Sequence, residues 1–139
     1  MNNRFGGDPI PGIDSHGSPL LTPANSQIRV LNGPGEGLTF DLHQTPLLIG
    51  RHDPPAVTVD IDLTDCELGV TALVSRRHAE LQWVEGKLQI VDLCSKNGTF
   101  VDGERLETLP GQPSPPKVLR FGSKIHCADL EMEIILTED

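Results

Sequence analysis

Short runs of alternating apolar and polar residues, each broken by Gly, Pro or Asn, recur from Gln27 to the end of this chain and leave few folds open. Ile28 and Val30 flank Arg29, and Leu38, Phe40 and Leu42 alternate with Thr39 and Asp41. The same period returns in Val57, Val59, Ile61 and Leu63, in Ala79, Leu81 and Trp83, in Leu88 and Ile90, in Ile125 and Cys127, and in Met132, Ile134 and Leu136. A period of two puts one face of an extended segment in a core and the other in water. Leu47-Leu48-Ile49 is apolar throughout, which suits a more central strand. The breaks are turn sequences: Asn32-Gly33-Pro34-Gly35, Glu85-Gly86, and Asp102-Gly103, the last favouring a type I′ turn. No helix of ordinary length fits between them. The pattern predicts an all-β chain, a β-sandwich of two mainly antiparallel twisted sheets with roughly ten or eleven short strands.

The 139 residues suffice for one domain and a tail. Residues 1–26 are rich in Gly, Pro, Ser and Asn and are expected to be a flexible tail, with Leu20-Leu21-Thr22-Pro23 as the apolar patch in it. Residues 27–137 form the predicted sandwich. A formal net charge of −9 without a long basic run argues against nucleic acid or an anionic membrane as partner. No apolar run is long enough to span a bilayer, and the N-terminus lacks the apolar core of a signal peptide, so a cytoplasmic location is expected. Cys66, Cys94 and Cys127 are then free thiols. Their spacing suits no zinc pattern, and neither metal nor cofactor is expected.

Against this acidic background, hydrogen-bond donors gather at three strand ends: Gly50-Arg51, Ser75-Arg76-Arg77-His78, and Lys96-Asn97-Gly98-Thr99. Convergent donors on a rigid scaffold suit a small anion. Arg51 can fork two oxygens, and Gly50 lets the backbone turn out of its strand. Ser75 offers a short hydroxyl, Arg76 a second cation and Lys96 an ammonium. The Asn97 carboxamide can both donate and accept. Arg77, next to Arg76 on an extended segment, is expected to point away.

In this order the fragments resemble the forkhead-associated (FHA) domain, a β-sandwich that binds phosphothreonine peptides through recognition loops at one end. The resemblance rests on Gly50-Arg51, on Ser75 with His78 three residues later, and on Asn97-Gly98-Thr99 followed by Val101 and Gly103. It runs from about Ile28 to Leu136. It implies phosphate contacts from Arg51, Ser75 and Arg76, a peptide-backbone contact from Asn97, and a bracing role for His78. Gly98 would allow a tight turn and Thr99 would pack or hydrogen-bond within its loop. Lys96 stands where the family often has Ser or Thr, so an ammonium replaces a hydroxyl. Family members commonly read the third residue after the phosphothreonine. Leu73, Val74 and the Lys96-Asn97 loop are the candidates here, and an apolar Leu73-Val74 lip would favour an apolar partner residue.

The function expected from these residues is non-catalytic: an adaptor or regulator that binds phosphothreonine in a partner protein, a Ser/Thr kinase or one of its substrates. A phosphate-independent interaction or assembly module on the same fold is the alternative. Ser75, His78 and Asp92 imitate a hydrolase triad, but no nucleophile elbow or oxyanion element accompanies them. Thr22, the sole threonine of the first 26 residues, would be the site at which a phosphorylated tail could fold back or reach a neighbour.

Overall fold

The computed structural model describes residues 12–137. Eleven strands lie within them: β1 (Ser26–Val30), β2 (Thr39–Asp41), β3 (Leu47–Gly50), β4 (Ile61–Asp62), β5 (Ala79–Val84), β6 (Lys87–Asp92), β7 (Thr99–Val101), β8 (Glu104–Arg105), β9 (Lys117–Val118), β10 (Lys124–Cys127) and β11 (Leu130–Leu136). One sheet has the order β2-β1-β11-β10-β7-β8 and the other β4-β3-β5-β6-β9. All pairings are antiparallel except β3 with β4. This is the expected sandwich, and β3 lies inside its sheet as its continuous apolarity required.

The hairpins follow from local chemistry. Glu85 and Gly86 have φ of 52° and 79°, and Asp102 and Gly103 have 50° and 85°. Two successive positive φ values match the right-handed twist of the flanking strands, so both turns close with two residues. The alternation settles the register on each side. Leu81 faces Ile90 across β5–β6, and Ile28 faces Ile134 across β1–β11. These residues belong to one continuous core drawn from both sheets, with Ile49, Ile61, Ile125 and Met132 also fully enclosed. Each such side chain contributes roughly 1.5–3 kcal/mol on burial.

Two expectations differ from the structure. The run from Val57 to Leu63 forms a strand only at Ile61–Asp62, paired in parallel with β3. Just upstream, Asp60 accepts the Leu48 N–H on its side chain, and the ladder goes no further. Residues 12–25, expected in a flexible tail, lie folded against the sandwich. Ile13 bridges to Pro19, and Leu21 enters the core. Leu21 anchors this segment in the core while Leu20 stays exposed, and hydrogen bonds of Thr22 with Asn25 and Ser26 hold the turn that follows. Residues 1–11 lie outside the described residues. No helix among the described residues is long and apolar enough to cross a membrane.

Three connections meet at one end of the sandwich: β3–β4, β4–β5 and β6–β7. Leu93 N–H bonds the His78 carbonyl at 3.0 Å, and His78 N–H bonds Ile49 at 2.9 Å. Strand pairing thus continues past the named strands and brings the donor-bearing segments together.

Candidate functional site

Gly50 ends β3 and is buried. A Cβ there would lie 2.0 Å from the Arg76 carbonyl oxygen and 2.9 Å from that of Ser75. Its requirement is therefore room for the β4–β5 loop rather than the backbone turn expected from sequence. That close approach carries Ser75-Arg76 across the end of β3, next to Arg51. Arg51 is half-buried, and its Nε donates to the Val74 carbonyl. One edge of the guanidinium is fixed in this way and the two terminal nitrogens remain for a ligand.

Asp62, at the end of β4, organises the segment after Arg51. Its Oδ1 accepts from His52 N–H at 3.2 Å, Thr64 N–H at 3.0 Å and the Thr64 hydroxyl at 2.6 Å. Arg76 is exposed and ion-paired with Asp53 at 3.0 Å. Arg51 and Lys96, by contrast, have no carboxylate within salt-bridge distance among the described residues.

His78 is fully buried and joins two loops. Its Nδ1 accepts the Ser75 N–H at 3.0 Å, so its Nε2 carries the proton and donates to the Gly98 carbonyl at 2.8 Å. Burial pulls its pKa below the ordinary histidine value, against the Gly98 hydrogen bond and the charges of Asp92 and Glu67. The ring is accordingly neutral, with both nitrogens used. The Ser75 hydroxyl oxygen accepts the Lys96 N–H at 3.0 Å, leaving its own proton to donate outward. Asn97 Nδ2 donates to the Leu73 carbonyl at 2.8 Å, which leaves its Oδ1 free to accept.

These contacts dismantle the imitation triad. His78 bonds the backbone of Ser75 rather than its hydroxyl, and Asp92 is occupied elsewhere. Asp92 is buried and accepts from Ser95 N–H at 3.0 Å, the Ser95 hydroxyl at 2.5 Å and the Thr99 hydroxyl at 2.6 Å. Ser95 Oγ in turn accepts the Gly98 N–H at 3.0 Å. From behind, Ser114 exchanges two hydrogen bonds with the Asp92 backbone. A carboxylate with this many donors is a rigid hub for the β6–β7 loop. Gly98 takes φ of 92°, where a side chain would be strained and would press on Arg105.

The FHA domain pattern matches residues 47–127, more than half of the chain. The chain belongs to the FHA domain family. Among its relatives, the oxoglutarate dehydrogenase inhibitor of Corynebacterium efficiens is 36% identical over 104 residues, which are 74% of this chain and 61% of that protein. The glycogen accumulation regulator GarA of Mycolicibacterium smegmatis is 37% identical over 87 residues, 62% of this chain and 49% of that protein. The chain thus spans 61% and 49% of the lengths of these two relatives. Among solved structures, the crystal structure of the FhaA FHA domain, complexed with the intracellular domain of a second protein, matches with a TM-score of 0.57 and 25% identity over 78% of this chain and 98% of that one.

The FHA framework brings Gly50, Arg51, Ser75, Arg76, His78, Lys96, Asn97, Gly98 and Thr99 to one end of the sandwich. Two sequence expectations need correction here. Val74 is 1% exposed and packs in the core, so it offers no surface to a peptide. Leu73 is half-buried, and the exposed apolar side chains of the β4–β5 loop are Leu68 and Val70. Thr22 is also placed differently. Its N–H bonds Asn25 Oδ1 and its carbonyl takes the Ser26 hydroxyl, which fixes it in a turn four residues before β1. Asp62, Asp92, Ser95 and Ser114 are the supports that sequence reasoning missed. Asp92 did carry a signal: it follows Leu88 and Ile90 on the inward phase of β6, where a carboxylate needs donors.

Proposed function

We propose that this FHA domain is a non-catalytic reader of phosphothreonine that recruits or regulates a partner protein downstream of a Ser/Thr kinase, in the cytoplasm. The observation that carries the proposal is the placement of Arg51 and Lys96, cations without a carboxylate partner among the described residues, on either side of Ser75: the Lys96 N–H donates to the Ser75 hydroxyl and Arg51 Nε to the adjoining Val74 carbonyl. A phosphothreonine brings about −1.5 to −2 charge and three acceptor oxygens, which is what these donors lack. In this reading Arg51 and Ser75 hold the phosphate and Lys96 adds charge at its edge. Arg76 joins them by exchanging Asp53 for the ligand. Asn97 Oδ1 accepts a backbone N–H of the bound peptide.

Hydrogen bonds to charged groups contribute roughly 1.5–3 kcal/mol each, so two of them favour the phosphorylated peptide by about a hundredfold or more. The names of the two relatives, an inhibitor and a regulator, support action by binding. So does the geometry of Ser75, His78 and Asp92, none of which is arranged for proton relay. The test is titration with a degenerate phosphothreonine peptide pool and its unphosphorylated counterpart, for the parent chain and Arg51→Ala. Binding that requires phosphate and disappears in the variant is the expected result. Binding indifferent to both phosphate and Arg51 would favour a phosphate-independent assembly module instead.

A further inference from the structure

Two consecutive peptide groups of the β4–β5 loop are each gripped on both sides by side chains. In the Leu73–Val74 group the carbonyl accepts from Asn97 Nδ2 and the N–H donates to Glu67 Oε2 at 3.0 Å. In the Val74–Ser75 group the carbonyl accepts from Arg51 Nε and the N–H donates to His78 Nδ1. Three of these four side chains belong to the motif that led to the family. Glu67 does not.

Glu67 is placed at a cost. Its Oε1 is buried and has no hydrogen-bond partner among the described residues, and an unsatisfied buried carboxylate oxygen is unfavourable. Its contribution must lie in what Oε2 holds. Glu67 and Val74 bracket the segment from Leu68 to Leu73, in which Leu68 is partly exposed and Val70 fully so. Those side chains supply little packing to set the loop's shape. The Glu67 bond closes the base of this segment and fixes the orientation of the Leu73–Val74 group. A carboxylate on the N–H side of a peptide also strengthens its carbonyl as acceptor for Asn97. The next carbonyl along the chain is the one that aims Arg51.

We infer that Glu67 is a positioning residue of the phosphate site, acting through Val74 on the guanidinium of Arg51 and through Leu73 on the carboxamide of Asn97. The inference rests on the phosphothreonine reading of the site. It assigns a carboxylate to an anion-binding centre, where its charge alone would oppose the ligand, and gives it a geometric task that outweighs that repulsion.

The experiment combines phosphothreonine-peptide titration with observation of the Arg51 Nε–H resonance by two-dimensional 1H–15N NMR on the full chain. Glu67→Ala is expected to weaken phosphopeptide binding about tenfold, the effect of one lost hydrogen bond to a charged group, and to shift or broaden the Arg51 Nε–H signal. Glu67→Gln keeps an acceptor for the Val74 N–H and is expected to bind within about twofold of the parent. In an Arg51→Lys background, which lacks the Nε–H bond to Val74, Glu67→Ala should cost clearly less than in the parent, because only the route through Leu73 to Asn97 remains. An Arg51 Nε–H signal unmoved by Glu67→Ala, an equal loss in both backgrounds, or Glu67→Gln as weak as Glu67→Ala would overturn the inference. Phosphate-dependent binding by the parent chain with Glu67→Ala unaffected overturns the positioning role alone. A parent chain that binds phosphorylated and unphosphorylated peptide alike overturns the phosphothreonine reading, and this inference with it.

Discussion

The two ends of the sandwich are built by different means. At the end that holds the Glu85-Gly86 and Asp102-Gly103 turns, shape comes from the backbone of two adjacent residues with positive φ. At the recognition end, shape comes from side chains that reach across 20 or more residues: His78 to Gly98, Ser75 to the Lys96 N–H, Asn97 to Leu73, Arg51 to Val74. A two-residue turn can join strands but offers no fixed set of outward donors. Loops braced from several directions can hold donors that face solvent without collapsing onto one another. The difference implies that changes at the turn end move stability alone, whereas at the recognition end only a change confined to a ligand-facing side chain spares the frame.

That separation can be broken in a graded way. Arg51→Ala should have the largest effect on function, lowering phosphopeptide affinity by roughly a hundredfold or more while costing only about 1 kcal/mol of stability. Peptide titration and denaturant unfolding measured side by side would check it. Gly50→Ala should damage both properties. Its Cβ would strike the Arg76 carbonyl, so a loss of about 3 kcal/mol and displacement of the Ser75 loop are expected. Unchanged affinity in that variant would show that the β4–β5 loop tolerates movement. Asp92→Asn replaces an acceptor of three hydrogen bonds with a group that must turn an NH2 toward a donor. A loss of about 2–3 kcal/mol in urea unfolding is expected.

Acidification probes the same end. His78 binds its proton less readily when folded, because burial disfavours the charged ring. Between its lowered folded pKa and the unfolded value of about 6.5, the unfolded chain binds more protons. Stability should therefore rise with pH across that window and be lost as pH falls below about 6.5, at no more than ~1.4 kcal/mol per pH unit. Unfolding in the absence of peptide, for the parent and for His78→Gln, isolates this contribution from the titration of the phosphate. A parent slope retained in the variant would assign it to other groups. The smallest effect belongs to the far end: Gly86→Ala, at φ 79°, should cost about 1 kcal/mol and leave peptide affinity within twofold. A larger change in affinity would mean that the two ends are coupled.

What was legible in the sequence follows the same division. The hairpins and their registers could be read because their causes are local, an alternation and a turn of adjacent residues. The donor residues could be read from their chemistry and order. Their supports could not, because Asp62, Glu67, Ser95 and Ser114 are ordinary loop and turn residues until the fold brings backbone N–H groups to them. Val74 was misplaced for a related reason. In a loop with no period there is no sequence signal for which apolar side chain turns inward, and the core took Val74 while Val70 remained outside. Leu21 was misread because composition gives no signal that a Gly- and Pro-rich stretch will bury one leucine and close turns through Asp14 and Asn25.

The most direct measurement is a two-dimensional 1H–15N NMR titration of the full chain with a phosphothreonine peptide and, in parallel, its unphosphorylated form. The account predicts perturbations centred on the Ser75 and Lys96 amides, the Arg51 Nε–H and the Asn97 side-chain amide with the phosphorylated peptide alone, and little change at Gly86 and Gly103. Equal perturbations with both peptides, or changes centred on the Glu85-Gly86 and Asp102-Gly103 turns, would contradict it.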